Sequence, residues 1–578
     1  MRLNKRWLAL GVLLAAVLLF FALDLGQYLN LDAIKARQAQ LEAWRAAQPL
    51  RAALFFFTAY VLVTALSLPG ATVMTLAGGA VFGLWWGTLL ISFASSIGAT
   101  LAFLASRWLL GGWVQQRFAE RLQTFNEGME RDGAFYLFTL RLVPLVPFFV
   151  INLAMGLTRI KPLTFYGVSQ LGMLPATLVY VNAGTQLAQI DSLAGIVSPG
   201  LLASLVLLGV FPLVARKVSD FLRARKVYAR WPKPRKFDRN LVVIGAGSAG
   251  LVTAYIAAAV RAKVTLVEKD AMGGDCLNTG CVPSKALIRS ARMAADINRA
   301  GEFGIRTGPA EVDFAAAMER VQRVIAAIEP HDSVERYTGL GVDVASGTAR
   351  ITSPWEVQIT HNDGHLETLT TRSIAIATGG RPFIPPIAGL EQVDYLTSET
   401  VWALRERPRR LLVLGGGPIG CELAQTFARL GCSVTQVEQG GRLLPREDTD
   451  AAALVAERFA AEGIDLRLDH KATRIEVLDG GEKTLLAQHA GGTVRIAFDA
   501  LLIAVGRRAN LDGFGLQELG VATDRTVEVN AFLQTNFPNI YAAGDVAGPY
   551  QFTHVAAHQA WYAAVNALFD PFKKFKAD

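Results

Sequence analysis

One local pattern occurs twice in the chain. Asn240–Ile244 (NLVVI) leads into Gly245-Ala-Gly247-Ser-Ala-Gly250 and an alanine-rich stretch, and the next apolar run, Lys263–Val267, ends on Glu268, 18 residues past Gly250. Arg410–Leu414 (RLLVL) leads into Gly415-Gly-Gly417-Pro-Ile-Gly420, and Glu438 closes the following run at the same offset of 18. In a strand–turn–helix order the glycines allow a tight turn and close approach to a pyrophosphate, while the helix start supplies N–H groups and the carboxylate accepts from ribose hydroxyls. A single glycine run of this kind is a weak sign. Two with matching carboxylates imply two dinucleotide sites and electron transfer between two cofactors. Glu438 would bond an adenosine ribose and repel a 2′-phosphate, which favours NADH; Arg442 nearby keeps NADPH open.

Between the two patterns lies Gly273-Gly-Asp-Cys276-Leu-Asn-Thr-Gly-Cys281-Val-Pro-Ser-Lys285. Thiols in a cytoplasmic compartment are kept reduced, so a closely spaced pair is catalytic or metal-binding more often than a structural staple. A zinc site needs about four ligands. The other two cysteines, Cys421 and Cys432, read as packing residues of the second nucleotide unit, so no metal is expected. Cys276 and Cys281 therefore read as a redox disulfide that opens and closes by thiolate exchange. Lys285, one helical turn beyond Cys281, could hold a thiolate or an anionic flavin ring by charge.

The first 215 residues have another character. Ala52–Ser106 is 55 residues without a charge, and as one helix it would run ~80 Å against a hydrocarbon core of ~30 Å, so it must turn back. Pro69-Gly70 and Gly78-Gly79 are the expected breaks. Trp7–Leu23 reads as a retained anchor, residues 31–50 as a polar surface helix, and Ala134–Gly156, Leu163–Asn182 and Ile196–Ala215 as further spans. A polar, cytoplasmic stretch is expected around Arg117–Asp132. Arg141 stands in an apolar run, where a guanidinium is costly and marks a functional site unless it reaches the membrane edge. Pro144 and Pro147 behind it break the helix and free carbonyls that protein or a wet cavity must satisfy.

Charge follows the same division. The total of +8 and pI near 9.3 could suggest a nucleic-acid binder. Residues 1–215 carry net +6, residues 216–239 net +8 and residues 240–578 net −6, so the half with soluble patterning is acidic and no nucleic-acid partner is expected. The basic residues Arg2, Lys5 and Arg6, and the run from Arg216 to Arg239, place both flanks of the apolar half in the cytoplasm and draw anionic headgroups. All seven histidines and all four cysteines lie after residue 240, so the apolar half lacks the usual haem and iron–sulfur ligands.

SLPGATVMTLAGGAVFG, the Arg141-x-x-Pro144-x-x-Pro147 run and the small-residue helices resemble the DedA/VTT family (SNARE-associated Golgi protein-like) over roughly residues 50–190. That resemblance implies paired re-entrant hairpins, movement of lipids or lipid-linked phosphates between leaflets, and a key role for Arg141. No carboxylate lies between Arg51 and Arg107, unlike in members with acids near the first hairpin, so proton coupling is not expected.

GAGSAG, GGDCLNTGCVPSK, Ala377-Thr378-Gly379, GGGPIGCELA, Ala504-Val-Gly506-Arg507 and Ile540-Tyr-Ala-Ala-Gly544-Asp545 resemble the pyridine nucleotide-disulfide oxidoreductases over roughly residues 237–570. Mercuric reductase, dihydrolipoyl dehydrogenase and glutathione reductase are of this kind. The resemblance implies FAD on the first unit (Gly245, Gly247, Gly250, Glu268, Lys285, Thr378, Gly379, Gly544) with Asp545 on the ribityl chain. It implies NAD(P)H on the second (Gly415, Gly417, Gly420, Glu438, Gly506), Cys281 as the thiol against the flavin, Cys276 as the interchange thiol, and a Lys285–Glu422 pair near the flavin N5. The family continues with an interface domain that supplies its homodimer contact and, in disulfide reductases, a His-Glu acid/base pair. The chain stops at Asp578, before this interface domain, and so reads as a truncated product of a longer protein, the alternative being a half-enzyme; a homodimer is what the family implies, and the domain that would build it is missing from the sequence; His554 and His558 read as local structural residues.

The expected architecture is multidomain: an all-α polytopic membrane domain with re-entrant segments, then an α/β flavoprotein with two dinucleotide-binding domains. Its expected divisions are an anchor (1–30), a DedA-like domain (31–215), a basic linker (216–239), the FAD domain in two parts (237–385 and 507–578) and the NAD(P) domain (386–506). The expected activity is a membrane-tethered reductase passing hydride from NAD(P)H through FAD to Cys276–Cys281 and on to a disulfide, metal-ion or similar small-molecule acceptor. A lipid or lipid-phosphate translocator with a regulatory flavoprotein, or an NADH:quinone-type oxidoreductase, are the alternatives. The expected location is the inner (cytoplasmic) membrane, multi-pass, with the flavoprotein in the cytoplasm.

Overall fold

In the computed structural model the uncharged run is three helices, not one. The structure describes residues 38–68, 70–111, 133–142, 146–158, 160–188, scattered positions from 203 to 227, 228–570 and 574–577. After α1 (Gln38–Ala47) come α2 (Pro49–Ala65), α3 (Ala71–Phe82) and α4 (Leu84–Ser106). The first break falls at residues 66–70, as expected. The second does not fall at Gly78-Gly79, which lie buried inside α3, but at Gly83, whose φ of +75° costs glycine nothing.

The reason is a close helix crossing. A Cβ on Gly79 would stand 2.2 Å from the Val181 carbonyl oxygen, and one on Gly184 would stand 2.1 Å from that of Leu76. Each glycine thus admits the backbone of the other helix, α3 against α7 (Pro162–Leu187). Such mutual small-residue contacts drive association where lipid gives no hydrophobic force.

Among the described residues one helix, Leu84–Leu109, is long and apolar enough to cross a membrane. The expected Ala134–Gly156 span is two short helices, α5 (133–142) and α6 (Phe148–Gly156), with Pro147 as the N-cap of α6. Pro144, the Trp7–Leu23 anchor and the Arg117–Asp132 stretch lie outside the described residues.

The chain divides into two units, Met1–Lys226 and Val227–Asp578. In the second, β1 (Arg239–Ile244), β2 (Val264–Glu268), β3 (Asp343–Ser353), β5 (Leu366–Ile376) and β15 (Ile540–Ala542) make a parallel sheet in the order β3-β2-β1-β5-β15. The last four residues of β1 are buried, the continuous apolar pattern of a strand covered on both faces. The far ends of β3 and β5 flank β4 (Glu356–His361) in an antiparallel meander. Helix α8 (Ser248–Ala259) follows the first glycine loop; α9 (Gly274–Asn278), α10 (Cys281–Asn298) and α11 (Phe314–Ile328) come after β2.

The segment between β5 and β15 holds a second parallel sheet, β13-β7-β8-β9, from β7 (Arg410–Leu414), β8 (Ser433–Val437), β9 (Asp465–Arg467) and β13 (Ala500–Ile503). Its first helix is α12 (Pro418–Arg429). An antiparallel sheet of β10 (Lys471–Val477), β11 (Lys483–His489) and β12 (Gly492–Phe498) extends the same segment. Two short strands, β6 (Gly380–Pro382) and β14 (Arg507–Ala509), pair where the chain leaves the first sheet and returns to it. The unit ends in α13 (Thr553–Phe569).

The basic segment before β1 packs on this unit. Tyr228 packs against Trp355 with ring centroids 4.8 Å apart and planes tilted by 34°, and donates its hydroxyl to Asn539 Oδ1 at 2.6 Å, while Val227, Tyr228 and Trp231 pack against the sheet's core. Lys233 lies 4.8 Å over the Trp355 ring.

Candidate active site

The two glycine loops have the same construction. Gly245 and Gly415 turn at φ +101° and +110°, where a Cβ would meet the carbonyl oxygens of Ala377 and Ala504 at 2.4 and 2.3 Å. Gly250 and Gly420, in the first turns of their helices, pack against those first glycines, a Cβ there falling 1.7 and 2.2 Å from the Gly245 and Gly415 oxygens. Glu268 Oε2 accepts from Ala246 N and Glu438 Oε2 from Gly416 N, both at 2.6 Å. Their other oxygens accept from Asp270 N and Gly440 N at 2.9 and 2.7 Å. The carboxylates placed at ribose height by the sequence therefore also staple the loops. Gly417 has open space where a Cβ would be, and Gly506 sits at φ +141° with its carbonyl accepting from Phe383 N at 2.9 Å.

A cavity of about 790 Å³ opens on the first loop. Gly245, Gly247, Glu268, Cys276, Cys281, Lys285, Thr378, Gly379, Gly544, Asp545 and Glu422 all line it, whereas Gly250 packs behind the loop. Gly415, Gly417, Gly420, Glu438 and Gly506 do not line it, but Pro418 and Ile419, in the first turn of α12, do. The long cleft suits an extended dinucleotide. A Cβ on Gly247 would have Gly274 Cα at 3.8 Å as its nearest neighbour and would take up room a pyrophosphate needs, while one on Gly274 would strike Gly247 Cα at 2.6 Å, so both glycines keep the loop open. The residues present fit FAD.

The cysteine pair sits on the cavity wall. Gly273 and Gly274, both at positive φ, lead into α9, which carries Cys276; Cys281 opens α10. Burial first, then the adjacent Cys281, pushes the Cys276 thiol up to about 11. Cys281 is exposed, with Thr553 Oγ1 3.3 Å from its sulfur. One turn into α10, Lys285 Nζ meets both Glu422 oxygens at 2.8 and 3.1 Å. Trp402 Nε1 donates to Thr279 O at 2.9 Å and ties the cysteine loop to the second nucleotide unit. Cys421 and Cys432 are buried packing residues.

Arg507 is a residue of the AVGR run to which the sequence assigned no role. It pairs with Asp275, next to Cys276, lies 3.7 Å from Asp545, and donates to Gly380 O at 2.8 Å. Burial pushes the Asp545 carboxyl up, against the pull of Arg507. Thr378 Oγ1 donates to Asn510 O at 2.9 Å, which fixes the turn that carries Gly379. His554 also lines the cavity, a place its expected local role did not foresee, while His558 packs edge-on to Tyr562 at 4.9 Å.

In the helical unit Arg141 is buried. Its Nε donates to Ser169 Oγ at 3.1 Å and its Nη2 to Asn152 Oδ1 at 2.6 Å, between the rings of Phe148 and Phe165. Its Nη1 and Asn152 Nδ2 are buried without a partner, and among the described residues no carboxylate pairs with it. Of its two companions, Pro147 caps α6 and Pro144 lies outside the described residues.

A family model described as pyridine nucleotide-disulphide oxidoreductase matches residues 239–560, and one described as VTT domain matches 68–186. The dihydrolipoyl dehydrogenase of Bacillus subtilis is 35% identical over 332 residues, 57% of this chain and 71% of the relative. The mercuric reductase of Streptomyces lividans is 37% identical over 338 residues, 57% of this chain and 70% of its own. Among solved structures, the HOCl-induced flavoprotein disulfide reductase RclA of Escherichia coli superposes with a TM-score of 0.51 at 29% identity, over 59% of this chain and 73% of that one. A Cu(II) complex of RclA gives 0.51 and 29% over 58% and 72%.

Proposed function

The chain belongs to the pyridine nucleotide-disulphide oxidoreductase family, whose members use FAD and NAD(P)H, and from that premise we propose a membrane-tethered reductase that draws on NADH and delivers electrons through Cys276–Cys281 to a small acceptor. The acceptor class is a disulfide, a metal ion or a similar soft oxidant. Bound FAD would supply the exchange between a two-electron hydride donor and a sulfur pair. The protein's own residues do the rest. Gly247 and the start of α8 hold the pyrophosphate, Glu268 the ribose and Asp545 the ribityl chain. Lys285, oriented by Glu422, presents a cation to the redox centre, and Gly417 with Glu438 holds the nicotinamide nucleotide. When the Cys276–Cys281 bond takes up two electrons and one proton, the S–S bond breaks, one sulfur becomes a thiolate and the other a thiol.

The single observation that supports this reading is that one cavity is lined by the first glycine loop, both cysteines, Lys285–Glu422 and the start of α12. The test is anaerobic addition of NADH to the FAD-loaded, full-length protein, then alkylation and mass spectrometry. Two new thiols at Cys276 and Cys281 are expected, and none at Cys276 in Cys281→Ser. NADH oxidation that frees neither thiol refutes the redox-pair assignment.

A second reading concerns the helical unit, which matches the VTT domain and contains, among the described residues, one apolar helix long enough to span. A buried guanidinium with no counter-ion among the described residues, beside a second orphaned donor, suits an anionic oxygen such as a lipid phosphate. In this reading the protein is multi-pass in the inner membrane, with re-entrant hairpins and the flavoprotein on the cytoplasmic side. Reconstitution in liposomes with headgroup-labelled lipid tests it. Equal transfer by wild type and Arg141→Ala returns Arg141 to a packing role.

A further inference from the structure

One backbone carbonyl of the cysteine loop is left without a helical partner. Helix α9 ends at Asn278 and α10 begins at Cys281, so Thr279 belongs to neither. The residue four further on, whose N–H would close a helical turn onto Thr279 O, is Pro283, which has none. Trp402 Nε1 supplies the missing donor at 2.9 Å, sharing its hydrogen with Ser398 O at 2.7 Å. Thr279 stands between the two cysteines, so this bond takes hold of the middle of their loop.

The anchor is itself fixed. Trp402 is 4% exposed and sits in the short turn Val401–Ala403, where the chain passes from β6 to β7. It belongs to a core that also holds Ala286 and Leu287 of α10, Met318 of α11 and Leu423 of α12. Its own carbonyl accepts from Gln322 Nε2 at 3.4 Å and Arg405 Nη1 at 3.2 Å. A second tie holds the α9 side of the loop, where Asn278 Nδ2 donates to Met272 O and Gly274 O, both at 2.9 Å. Both cysteines are free thiols, and their side chains lie within hydrogen-bond reach of each other.

We propose that Trp402 is a positioning residue of the redox pair: its N–H holds the reduced loop close to the shape of the closed one, so the disulfide forms readily and resists reduction. The proposal rests on the redox-pair reading above. Ring closure needs the two Cβ atoms about 3.8 Å apart, and a loop free to open must first surrender that freedom. The bond to Trp402 removes part of it in advance. In the oxidised state the S–S bond constrains the loop whether or not Trp402 does. Loss of the N–H therefore loosens the reduced state more than the oxidised one and shifts the balance toward the thiols.

The test equilibrates FAD-loaded, full-length protein under argon in mixtures of reduced and oxidised glutathione, then quenches with acid, alkylates, and reads the Cys276–Cys281 disulfide by mass spectrometry. In this exchange the two cysteines give up two electrons and two protons as their S–S bond forms, while the glutathione S–S bond breaks and two thiols leave. Trp402→Phe keeps an aromatic ring and loses the donor. Its equilibrium constant for disulfide formation should fall about fivefold, the net worth of one hydrogen bond, or about 20 mV. Trp402→His gives up more packing but carries an N–H at the same ring position, and should stay within about twofold of wild type. A wild-type constant in folded Trp402→Phe, or equal shifts in the two variants, overturns the proposal. If wild type forms no Cys276–Cys281 disulfide in any mixture, the failure falls on the redox-pair reading, and the proposal falls with it.

Discussion

Coenzyme choice can be worked from Glu438. NADPH would set a 2′-phosphate against this carboxylate, which is half-buried and accepts from Gly416 N and Gly440 N at 2.6 and 2.7 Å. Two unit charges about 4 Å apart repel by about 1 kcal/mol in bulk water and about 4 kcal/mol near a protein surface. That range corresponds to a preference for NADH of about fivefold to about 1,000-fold. Arg442 offers little relief, because its guanidinium donates to Thr449 Oγ1 at 2.8 Å and Pro445 O at 2.7 Å, and turning to a phosphate would break both bonds. Glu438→Gln removes the charge and keeps one acceptor oxygen for the loop. The N–H it leaves unpaired should weaken both coenzymes alike, by about 1–3 kcal/mol, and cancel in the ratio. The assay is kcat/KM for NADH and NADPH with a common acceptor dye. The ratio should exceed fivefold in wild type and fall by at least about fivefold in Glu438→Gln. A wild-type enzyme indifferent to the 2′-phosphate, or an unchanged ratio in the variant, refutes the electrostatic argument.

Three further outcomes follow from the geometry. Tyr228→Phe strands the buried Asn539 Oδ1 and should lower the denaturation free energy of the flavoprotein unit by about 1–3 kcal/mol, read from a denaturant midpoint; an unshifted midpoint means the segment before β1 is not part of that fold. Gly184→Val should abolish accumulation or cost over about 3 kcal/mol in a detergent melt, while Gly167→Ala on the same helix, with open space around its Cβ, should be tolerated; equal melts would remove the close crossing of α3 and α7. The Cys276 thiol, raised from 9.0 to about 11, should gain reactivity up to about pH 11 without levelling near 9. Because the folded value lies above the unfolded one, the same shift withdraws stability as pH rises from about 9 to about 11, checked by thermal melts across that range.

Both glycine loops and the cysteine loop were legible because their chemistry is written within some thirty consecutive residues: spacing alone sets Gly245 against Glu268 and Cys276 against Cys281. Contacts that join distant segments were not. Arg507 meets Asp275 only because β14 pairs with β6 beside the cysteine loop, and Thr553 reaches Cys281 only because α13 is the last helix to join the first sheet. In the apolar half, composition predicted that the chain must turn, but not which glycine would turn it. Gly78-Gly79 and Gly83 look alike in sequence, and the carbonyl of Val181, a hundred residues on, decides between them. Arg141 stood out by its cost, whereas its ligands Ser169 and Asn152 are ordinary residues until the helices meet.

The stapled loops constrain the history open to such a chain. Glu268 and Glu438 each brace the turn beside them, and in the proposed function the same two carboxylates also select the ligand. A drift mutation that neutralised either one to relax selectivity would at the same stroke slacken the turn. Aspartate, one methylene shorter, would pull the loop inward to keep its bonds. Coenzyme preference is therefore hard to change by single steps, and the route to a different one runs first through a second-site substitution that braces the turn by other means. Where two loops of one construction differ in sequence as far as these, the shared brace is the part least free to change.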